Sequence, residues 1–411
     1  MRSLALFLFF FAADPRVEWF QWGGPTRDFQ APARELASSW PTAGPRQIWT
    51  RKLGDGYSSI VTDGRTAYTL YKRGTDTVIV ALNAATGETF WEKVFDAAPT
   101  KEEMKEIDPV HGTAPASTPL IVGGRLFVVT FMGQLVALDR KTGRVEWSEE
   151  LWRKHGGTLV GYGYTNSPLA YRDTIILPVG GAGHAMMAFR QKDGAVVWQK
   201  GDSDNAMSSP ILVLVEGEPQ IVGVMLKEVL AVSPDTGDVL WRFPHANKTD
   251  TNVTSPLWCG GNILLVSSAY DSGTRALRLK RENGKTTATE LWFNKRVRVH
   301  HGNILQIGDY AYASSGDFGP APLTGFKIAT GEIVWRSRAF AKATFVRVDD
   351  RVIVLDEEGK LALANFNPDG VKVLAESSQL TNPAWTPPTL SGTTLFIRDR
   401  VSVIALDLRA H

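Results

Sequence analysis

An eleven-residue pattern returns along the whole chain and limits the possible folds more than any other feature. It starts with a small residue, has glycine at its seventh position and in most copies ends in tryptophan. The segment ALDRKTGRVEW (137–147) is typical. Six copies share this length: 81–91, 137–147, 188–198, 231–241, 325–335 and 364–374. A further copy is stretched to 276–292. Six repeats of one spacing indicate an internally repeated architecture.

Each copy predicts a tight β-hairpin. Asp, Asn or Ser at the third position of several copies can accept a backbone N–H two residues further on, which initiates the turn. Glycine at the seventh position adopts a positive φ without steric cost. A second pair of short strands precedes the hairpin, as in copy two, where 119–122, 125–130 and 134–139 read as successive strands. Each unit is therefore predicted to contain four strands.

Four-stranded units at a period of roughly 40–50 residues predict a β-propeller. The tryptophans that mark the units lie 42 to 56 residues apart, and we expect them to dock each blade on its neighbour. These residues are Trp49, Trp91, Trp147, Trp198, Trp241, Trp292 and Trp335.

The last copy of the pattern predicts how the ring closes. It begins at Ala405 and stops at His411, before its outer strand. The only unassigned copy of that strand is 47–52, which carries Trp49. We therefore predict an all-β, eight-bladed propeller over 47–411, in which the N-terminal strand completes the last blade and leaves no free sheet edge.

The N-terminus predicts export. Residues 1–13 combine Arg2 with an apolar run over 4–13, which is typical of a signal peptide and too short to span a bilayer. We expect a periplasmic or extracellular protein, with 14–46 as an N-terminal segment ahead of the propeller. The formal net charge of +2 gives no reason to expect nucleic acid as a partner, and no later segment predicts a transmembrane helix. A monomer or a complex subunit is expected.

The run A-x-D-x-x-T-G-x-x-x-W resembles the blade signature of quinoprotein-like propellers, the pyrroloquinoline quinone (PQQ) repeat superfamily. The resemblance covers about 47–411, and WFQWGGPTRDF (19–29) is similar to a tryptophan-rich segment of secreted members. It implies an eight-bladed propeller with docking tryptophans. The superfamily includes PQQ-dependent dehydrogenases, the lipoprotein propeller of the outer-membrane assembly machinery, and members that bind no quinone.

The chain departs from both functional branches of this superfamily. The resemblance to the dehydrogenases implies a vicinal cysteine pair beside the cofactor, but Cys259 is the only cysteine. The resemblance to the lipoprotein propeller of the assembly machinery implies an anchoring cysteine just after the signal peptide, and no cysteine lies near residue 14. We expect no cofactor and no metal; PQQ with calcium remains the alternative.

The irregular connectors between blades are the candidate binding surface, because functional residues concentrate on irregular loops of a rigid scaffold. The connectors at 95–117 and 148–165 are long, whereas the repeated turns on the opposite face are uniform. Polar and aromatic residues just before each innermost strand are expected to ring a central funnel that takes a small polar ligand or a peptide segment, or else to cap ordered water. They are His111, Tyr164, Asn166, Asn205, Met207, Asn252, His300, His301 and Trp385.

Two groups of titratable residues have simpler interpretations. If His300 and His301 lie on a strand, their side chains point to opposite faces, so one packs, the other is solvated, and the two do not share a metal. Asp349, Asp350, Glu357 and Glu358 flank predicted turns and are expected to be solvated hairpin tips rather than catalytic carboxylates.

Three functions remain open on the sequence alone. The preferred one is an exported, non-catalytic propeller that binds a protein segment or a small ligand on its connector face. The second is a PQQ-dependent dehydrogenase acting on alcohols or sugars. The third is a structural subunit of an envelope complex.

Overall fold

The computed structural model describes residues 19–31, 36–95, 99–110 and 112–409. These residues form eight four-stranded antiparallel sheets, arranged as the blades of a β-propeller. Within the described ranges the helical content is one short 3₁₀ turn, Glu103–Lys105, and no helix is long and apolar enough to cross a membrane. The predicted fold class and blade number are confirmed.

Blades 1 to 4 follow one another along the chain, each from its innermost to its outermost strand. Blade 1 contains Val61–Thr62, Thr66–Arg73, Asp76–Asn83 and Thr89–Phe95; blade 2 contains Leu120–Val122, Arg125–Val129, Gln134–Asp139 and Val145–Glu150. Blade 3 contains Leu169–Tyr171, Thr174–Pro178, Met186–Arg190 and Val196–Lys200; blade 4 contains Ile211–Val215, Glu218–Val224, Glu228–Val232 and Val239–Pro244.

Blades 5 to 8 repeat the order, and the last one takes its outermost strand from the N-terminal side. Blade 5 contains Leu257–Cys259, Ile263–Ser267, Thr274–Glu282 and Lys285–Asn294; blade 6 contains Leu305–Ile307, Tyr310–Ser314, Leu323–Lys327 and Ile333–Ser337. Blade 7 contains Ala343–Val348, Arg351–Asp356, Lys360–Asn367 and Gly370–Ser378, with Gln30–Ala31 added parallel to its innermost strand. Blade 8 contains Thr389–Ser391, Thr394–Arg398, Ser402–Asp407 and Arg46–Lys52.

The ring closes as the truncated last copy predicts. Arg46–Lys52 pairs antiparallel with Ser402–Asp407, and Trp49 lies directly opposite Ala405. Tryptophan opposite alanine is the pairing found inside the complete blades, for example Trp147 opposite Ala137. Strands from the N-terminal and C-terminal sides of the propeller therefore share one sheet, which completes blade 8 and closes the ring.

The apolar core lies between neighbouring blades. One cluster, for example, packs Leu70 and Ile79 of blade 1 against Leu126 and Val136 of blade 2. Since each blade buries its two faces on two neighbours, the central strands are apolar on both faces and read as continuous hydrophobic runs.

The small first residue of the motif makes room for the tryptophan that ends it. The two stand on directly opposite cross-strand positions, as Ala81 and Trp91 do in blade 1. At Gly325 an added Cβ would lie 2.7 Å from the Trp335 ring, so the indole there packs against the glycine itself. A larger residue at this position would displace the indole.

The indole N–H groups connect consecutive blades. In six cases the N–H donates to the backbone carbonyl of the fourth motif residue of the next blade, at 2.8–3.1 Å. The pairs are Trp49 with Ala84, Trp91 with Arg140, Trp147 with Gln191, Trp198 with Pro234, Trp292 with Ile328 and Trp335 with Asn367.

Trp241 is the exception, and the stretched copy in blade 5 explains it. The fourth residue of that copy, Leu279, lies inside a strand, where it pairs with Ala288. Trp241 donates instead to the Gln220 side chain at 2.8 Å.

The motif glycine meets two requirements at once. Gly237 has φ +74°, and a Cβ placed on it would lie 2.4 Å from the Trp198 ring of the preceding blade. The same contact recurs at Gly87, Gly143, Gly194 and Gly331, each against the tryptophan of the blade before it. Glycine is therefore needed for the turn and for the close approach of the neighbouring indole.

Replacing Gly237 with alanine is expected to lower the free energy of unfolding by about 3 kcal/mol, from backbone strain at positive φ and from displacement of Trp198. Gly284→Ala is the matched control, since Gly284 has φ +78° but no atom within 4 Å of the position that an added Cβ would occupy. For Gly284→Ala we expect the free energy of unfolding to fall by about 1 kcal/mol, from backbone strain alone. Urea unfolding of both variants measures the difference, and equal losses would contradict a role for the indole contact.

Candidate functional site

A central funnel of about 480 Å³ lies at the axis of the propeller. The connectors between blades contribute Tyr162, Met207 and His300 to its lining. The turns between second and third strands contribute Tyr270 and Glu357. Both kinds of loop lie on the same face of the propeller. The first and second strands of a blade are antiparallel, so the second strand ends on the face where the first strand begins.

The N-terminal segment forms the floor of this funnel. Backbone N–H groups of Thr62 and Ile121, within the innermost strands of blades 1 and 2, donate to the Trp19 and Phe20 carbonyls at 2.8 Å. At blade 7, the Arg347 N–H donates to Phe29 O at 2.9 Å. The chain thus crosses the channel below the connector face.

Two side chains of the N-terminal segment hold the floor in place. Trp22 Nε1 donates to Ser255 Oγ of blade 5 at 3.2 Å. Arg27 is buried, and its Nη1 donates to Pro168 O at 3.0 Å and its Nη2 to Ser167 O at 3.2 Å. Burial lowers the Arg27 pKa to about 9, which leaves the guanidinium charged at neutral pH.

Of the nine predicted funnel residues, four line the funnel. They are Met207, His300, His301 and Trp385. His111 lies outside the described residues. Tyr164, Asn166, Asn205 and Asn252 are buried and absent from the lining, so the ligand-contact prediction is corrected for these four.

The buried asparagines and Tyr164 bind the backbone instead of facing the funnel. Asn166 Nδ2 donates to Ala206 O at 2.9 Å, and Asn252 Nδ2 donates to Met225 O at 2.8 Å. Tyr164 Oη donates to Val179 O at 3.1 Å. Buried polar groups need such partners, and these residues satisfy carbonyls in neighbouring blades.

The prediction that His300 and His301 point to opposite faces is wrong. They lie in a bend between the strands Lys285–Asn294 and Leu305–Ile307, so strand alternation does not apply. Both rings line the funnel, with centroids 4.9 Å apart.

His300 is held as a neutral ring by its partners. Lys342 Nζ donates to Nδ1 at 3.3 Å, which leaves the proton on Nε2, 2.5 Å from Tyr270 Oη. Burial, reinforced by the Lys342 charge, lowers the His300 pKa to about 3. His300 therefore provides a neutral polar group beside a cation.

His301 lies deeper and is held by stacking. Its ring lies 4.9 Å from the Trp385 ring, and neither ring nitrogen has a hydrogen-bond partner among the described residues. Burial, then the neighbouring His300 and Lys342, hold its pKa well below the usual range. Trp385 also stacks on Tyr57, with centroids 5.6 Å apart, so three rings form one wall.

Glu357 belongs to this wall, which corrects its prediction as a solvated hairpin tip. It lines the funnel, and its Oε2 accepts the Trp385 Nε1–H at 3.1 Å. Connector position does not find Glu357, Tyr270 or Phe318, which lie in turns between second and third strands. Lys342 directly precedes the innermost strand of blade 7 and fits the connector rule, although the predicted set omits it. The available signal was topological, since second-to-third strand turns share the connector face.

The funnel residues do not fit a calcium–quinone group. The wall and floor supply two carboxylates, Glu357, bound to Trp385, and Asp28, bound to Thr26. Within the described residues no three His, Cys, Asp or Glu side chains converge as metal ligands. Cys259 lies in the innermost strand of blade 5, buried, with its pKa raised by burial to about 12.

The family model described as outer membrane protein assembly factor BamB matches residues 41–182 and 75–337, which together span most of the propeller. The BamB protein of Yersinia pestis is 25% identical over 308 residues, covering 70% of each chain. Quinohemoprotein alcohol dehydrogenase ADH IIB of Pseudomonas putida is 24% identical over 258 residues, which are 62% of this chain and 30% of the dehydrogenase. This chain thus matches less than a third of that relative's length.

Solved structures of both kinds share the fold. BamB of Moraxella catarrhalis superposes with a TM-score of 0.62 at 16% identity, covering 88% of this chain and all of that one. Quinohemoprotein alcohol dehydrogenase of Comamonas testosteroni superposes with a TM-score of 0.68 at 12% identity, covering 96% and 81%. At these identities the likeness establishes the architecture alone.

Proposed function

Because the chain belongs to the PQQ-repeat propeller family of the outer membrane protein assembly factor BamB, we propose that it is an exported, non-catalytic scaffold. Its connector-face funnel binds a protein segment or a small polar ligand, in the periplasm or outside the cell. The relatives named as outer membrane assembly factors support a place in an envelope complex, and the signal-peptide pattern of 1–13 supports export.

The funnel wall is the observation that carries this proposal. Tyr57 stacked on Trp385, with the tilted His301 ring beside it, gives the wall an aromatic surface, while Lys342 and Glu357 contribute one charge of each sign to the lining. A concave, largely apolar surface with a few convergent polar groups is the usual form of a binding site. The N-terminal segment crosses below the funnel, which suits a bound segment or ligand rather than an open channel.

Affinity capture from the native envelope tests this role. Wild-type protein is expected to retain a protein or small molecule, which mass spectrometry identifies. The Trp385→Ala variant is expected to retain about tenfold less of it, because the aromatic wall loses its central ring. Phe90→Ala is the control, since Phe90 is an exposed aromatic residue on the outermost strand of blade 1. Equal recovery with wild type and Trp385→Ala would refute the funnel as the binding site.

The similarity to quinohemoprotein alcohol dehydrogenases is the observation that favours a second function, PQQ-dependent oxidation of alcohols or sugars. Adding PQQ and calcium to the purified protein separates the two. The scaffold proposal expects no shift in quinone absorbance and no dye reduction with ethanol or glucose. A shift with substrate-dependent dye reduction would establish the dehydrogenase instead.

A further inference from the structure

A basic cleft lies beside the funnel, between the blade 5–6 connector and blade 6. Four cations line it with a single carboxylate, Asp317. The cations are Lys295, Arg296, Arg298 and Arg336. The local excess of positive charge is larger than the net +2 of the entire chain, so this surface stands apart from an otherwise balanced molecule.

Most of this charge lacks a counterion. Asp317 pairs with Arg298 at 2.7 Å. Across the described part of the chain, the other three cations have no carboxylate within ion-pair distance. Burial, and then the charges of Arg296 and Arg298, lower the Arg336 pKa, as expected for a guanidinium held near like charges. An anionic partner would relieve this repulsion.

The cleft is fixed by the backbone rather than by its own charges. Gly316 N–H donates to Arg298 O at 2.8 Å, and Arg298 N–H donates to Ser315 Oγ at 2.9 Å. Arg336 Nη2 donates to the Arg296 carbonyl, which joins the outermost strand of blade 6 to the connector. The guanidinium groups of Arg298 and Arg336 are thus held in place before a partner binds, which limits the side-chain entropy that they lose on binding.

Phe318 connects the cleft to the funnel. Its side chain lines both cavities and is 81% exposed, the most exposed large hydrophobic residue described. Its ring lies 5.0 Å from Tyr270, at the funnel wall. The neighbouring Asp317 carbonyl accepts a hydrogen bond from Lys342 Nζ at 3.0 Å. The loop that carries Phe318 therefore forms an apolar ridge that is bound to the funnel wall as well as to the cleft.

We infer that the basic cleft and the funnel mouth together bind an acidic peptide segment of a partner protein. Its carboxylates lie against Arg296 and Arg336, whose planar forks match carboxylate geometry, and its aromatic side chain packs on Phe318. A polypeptide fits better than nucleic acid, because the charge is confined to one cleft and continues directly into an apolar ridge. This role rests on the proposed binding function and specifies the partner's chemistry.

Fluorescence anisotropy with a synthetic peptide tests this surface. The probe is a fluorescein-labelled peptide of alternating glutamate and phenylalanine residues in a Gly-Ser background. We expect binding that weakens with added salt, and roughly tenfold weaker binding for the Arg296→Gln, Arg336→Gln double variant. Phe318→Ser is expected to weaken binding about fivefold. Probes with lysine for glutamate, or serine for phenylalanine, should bind about tenfold more weakly than the parent peptide.

Lys141→Gln with Lys192→Gln is the matched control, because it removes two exposed charges from the repeated turns of the opposite face. Thermal unfolding of each variant verifies that it is folded. Undiminished binding by the cleft variant, an equal loss in the control, or equal competition by an oligothymidylate would overturn the inference. A partner lost from Trp385→Ala but retained by the cleft double variant would overturn the cleft alone and leave the funnel's role intact.

Discussion

Transfer of the protein from about pH 7.5 to about pH 5 is expected to lower its free energy of unfolding by about 6 kcal/mol. Three histidines, the buried His245 and the half-buried His300 and His301 of the funnel, are neutral in the folded protein and have pKa values far below the ordinary one. Each of them takes up a proton on unfolding at pH 5. The loss is therefore shared among three sites in adjoining blades.

Burial and the neighbouring Arg275 explain why His245 resists protonation. Its Nδ1 accepts the Arg275 Nε–H at 3.0 Å, and its Nε2 lies 2.8 Å from Ser268 Oγ. Protonation of the neutral ring would place a hydrogen on Nδ1, where it would point at the Arg275 N–H. Burial, together with the Arg275 charge, lowers the His245 pKa to about 3. Lys342 has the same relation to Nδ1 of His300.

The direction of the pH effect follows from these lowered pKa values. Above about pH 6.5 the histidines are neutral in the folded and the unfolded chain, so they cause no pH dependence. Below it, the unfolded chain binds protons that the folded protein does not, and stability falls by about 1.4 kcal/mol per pH unit for each histidine. This decline continues toward about pH 3, where His245 and His300 begin to titrate in the folded state.

Urea unfolding at the two pH values measures this effect. The chosen interval lies above the range in which unfolded carboxylates titrate, about pH 4, so ion pairs such as Arg46–Asp407 contribute little to the change. Replacing all three histidines with glutamine should remove most of the pH dependence. A change below about 2 kcal/mol in the wild type, or an unchanged slope in the triple variant, would contradict the assignment.

The blade count and the closure were predictable because the repeat records them directly. A fixed spacing from small residue to tryptophan encodes each outer hairpin, and the truncated copy at Ala405 identified Trp49 as its missing partner. The reasons for individual motif residues were only partly predictable. Positive φ explains Gly237 locally, but its contact with Trp198 of the previous blade depends on packing between blades.

The funnel was predictable in place but not in detail. Met207 and Asn205 both precede an innermost strand, yet only Met207 lines the funnel. Side-chain direction in an irregular connector is set by its own hydrogen bonds, not by strand alternation, so sequence position alone does not fix it. The floor formed by Trp22 and Arg27 has no local signal either, because its contacts reach residues far along the chain.

The Arg398→Met variant is expected to lose about 4 kcal/mol of unfolding free energy. Arg398 ends the second strand of blade 8 and is 1% exposed. Its Nη1 donates at 2.9 Å to Ser58 O, Thr69 Oγ1 and Leu70 O of the blade 1 side. Methionine fills a similar volume but donates nothing, so acceptors at the seam between the last and first blades lose their partner.

Replacing Arg398 at the seam between blades 8 and 1 is expected to lower the free energy of unfolding more than replacing an ordinary surface arginine does. Burial lowers the Arg398 pKa to about 10, so the guanidinium is still charged at neutral pH and supplies charge-assisted hydrogen bonds where the ring closes. Arg144→Met is the control, since the Arg144 side chain is 69% exposed and pairs with Glu146 at 3.5 Å; we expect a change under about 0.5 kcal/mol there. Equal losses in the two variants, measured by urea unfolding at neutral pH, would show that the seam does not depend on Arg398. A loss confined to Arg398→Met would identify the closure between blades 8 and 1 as a point where one buried cation stabilises the whole ring.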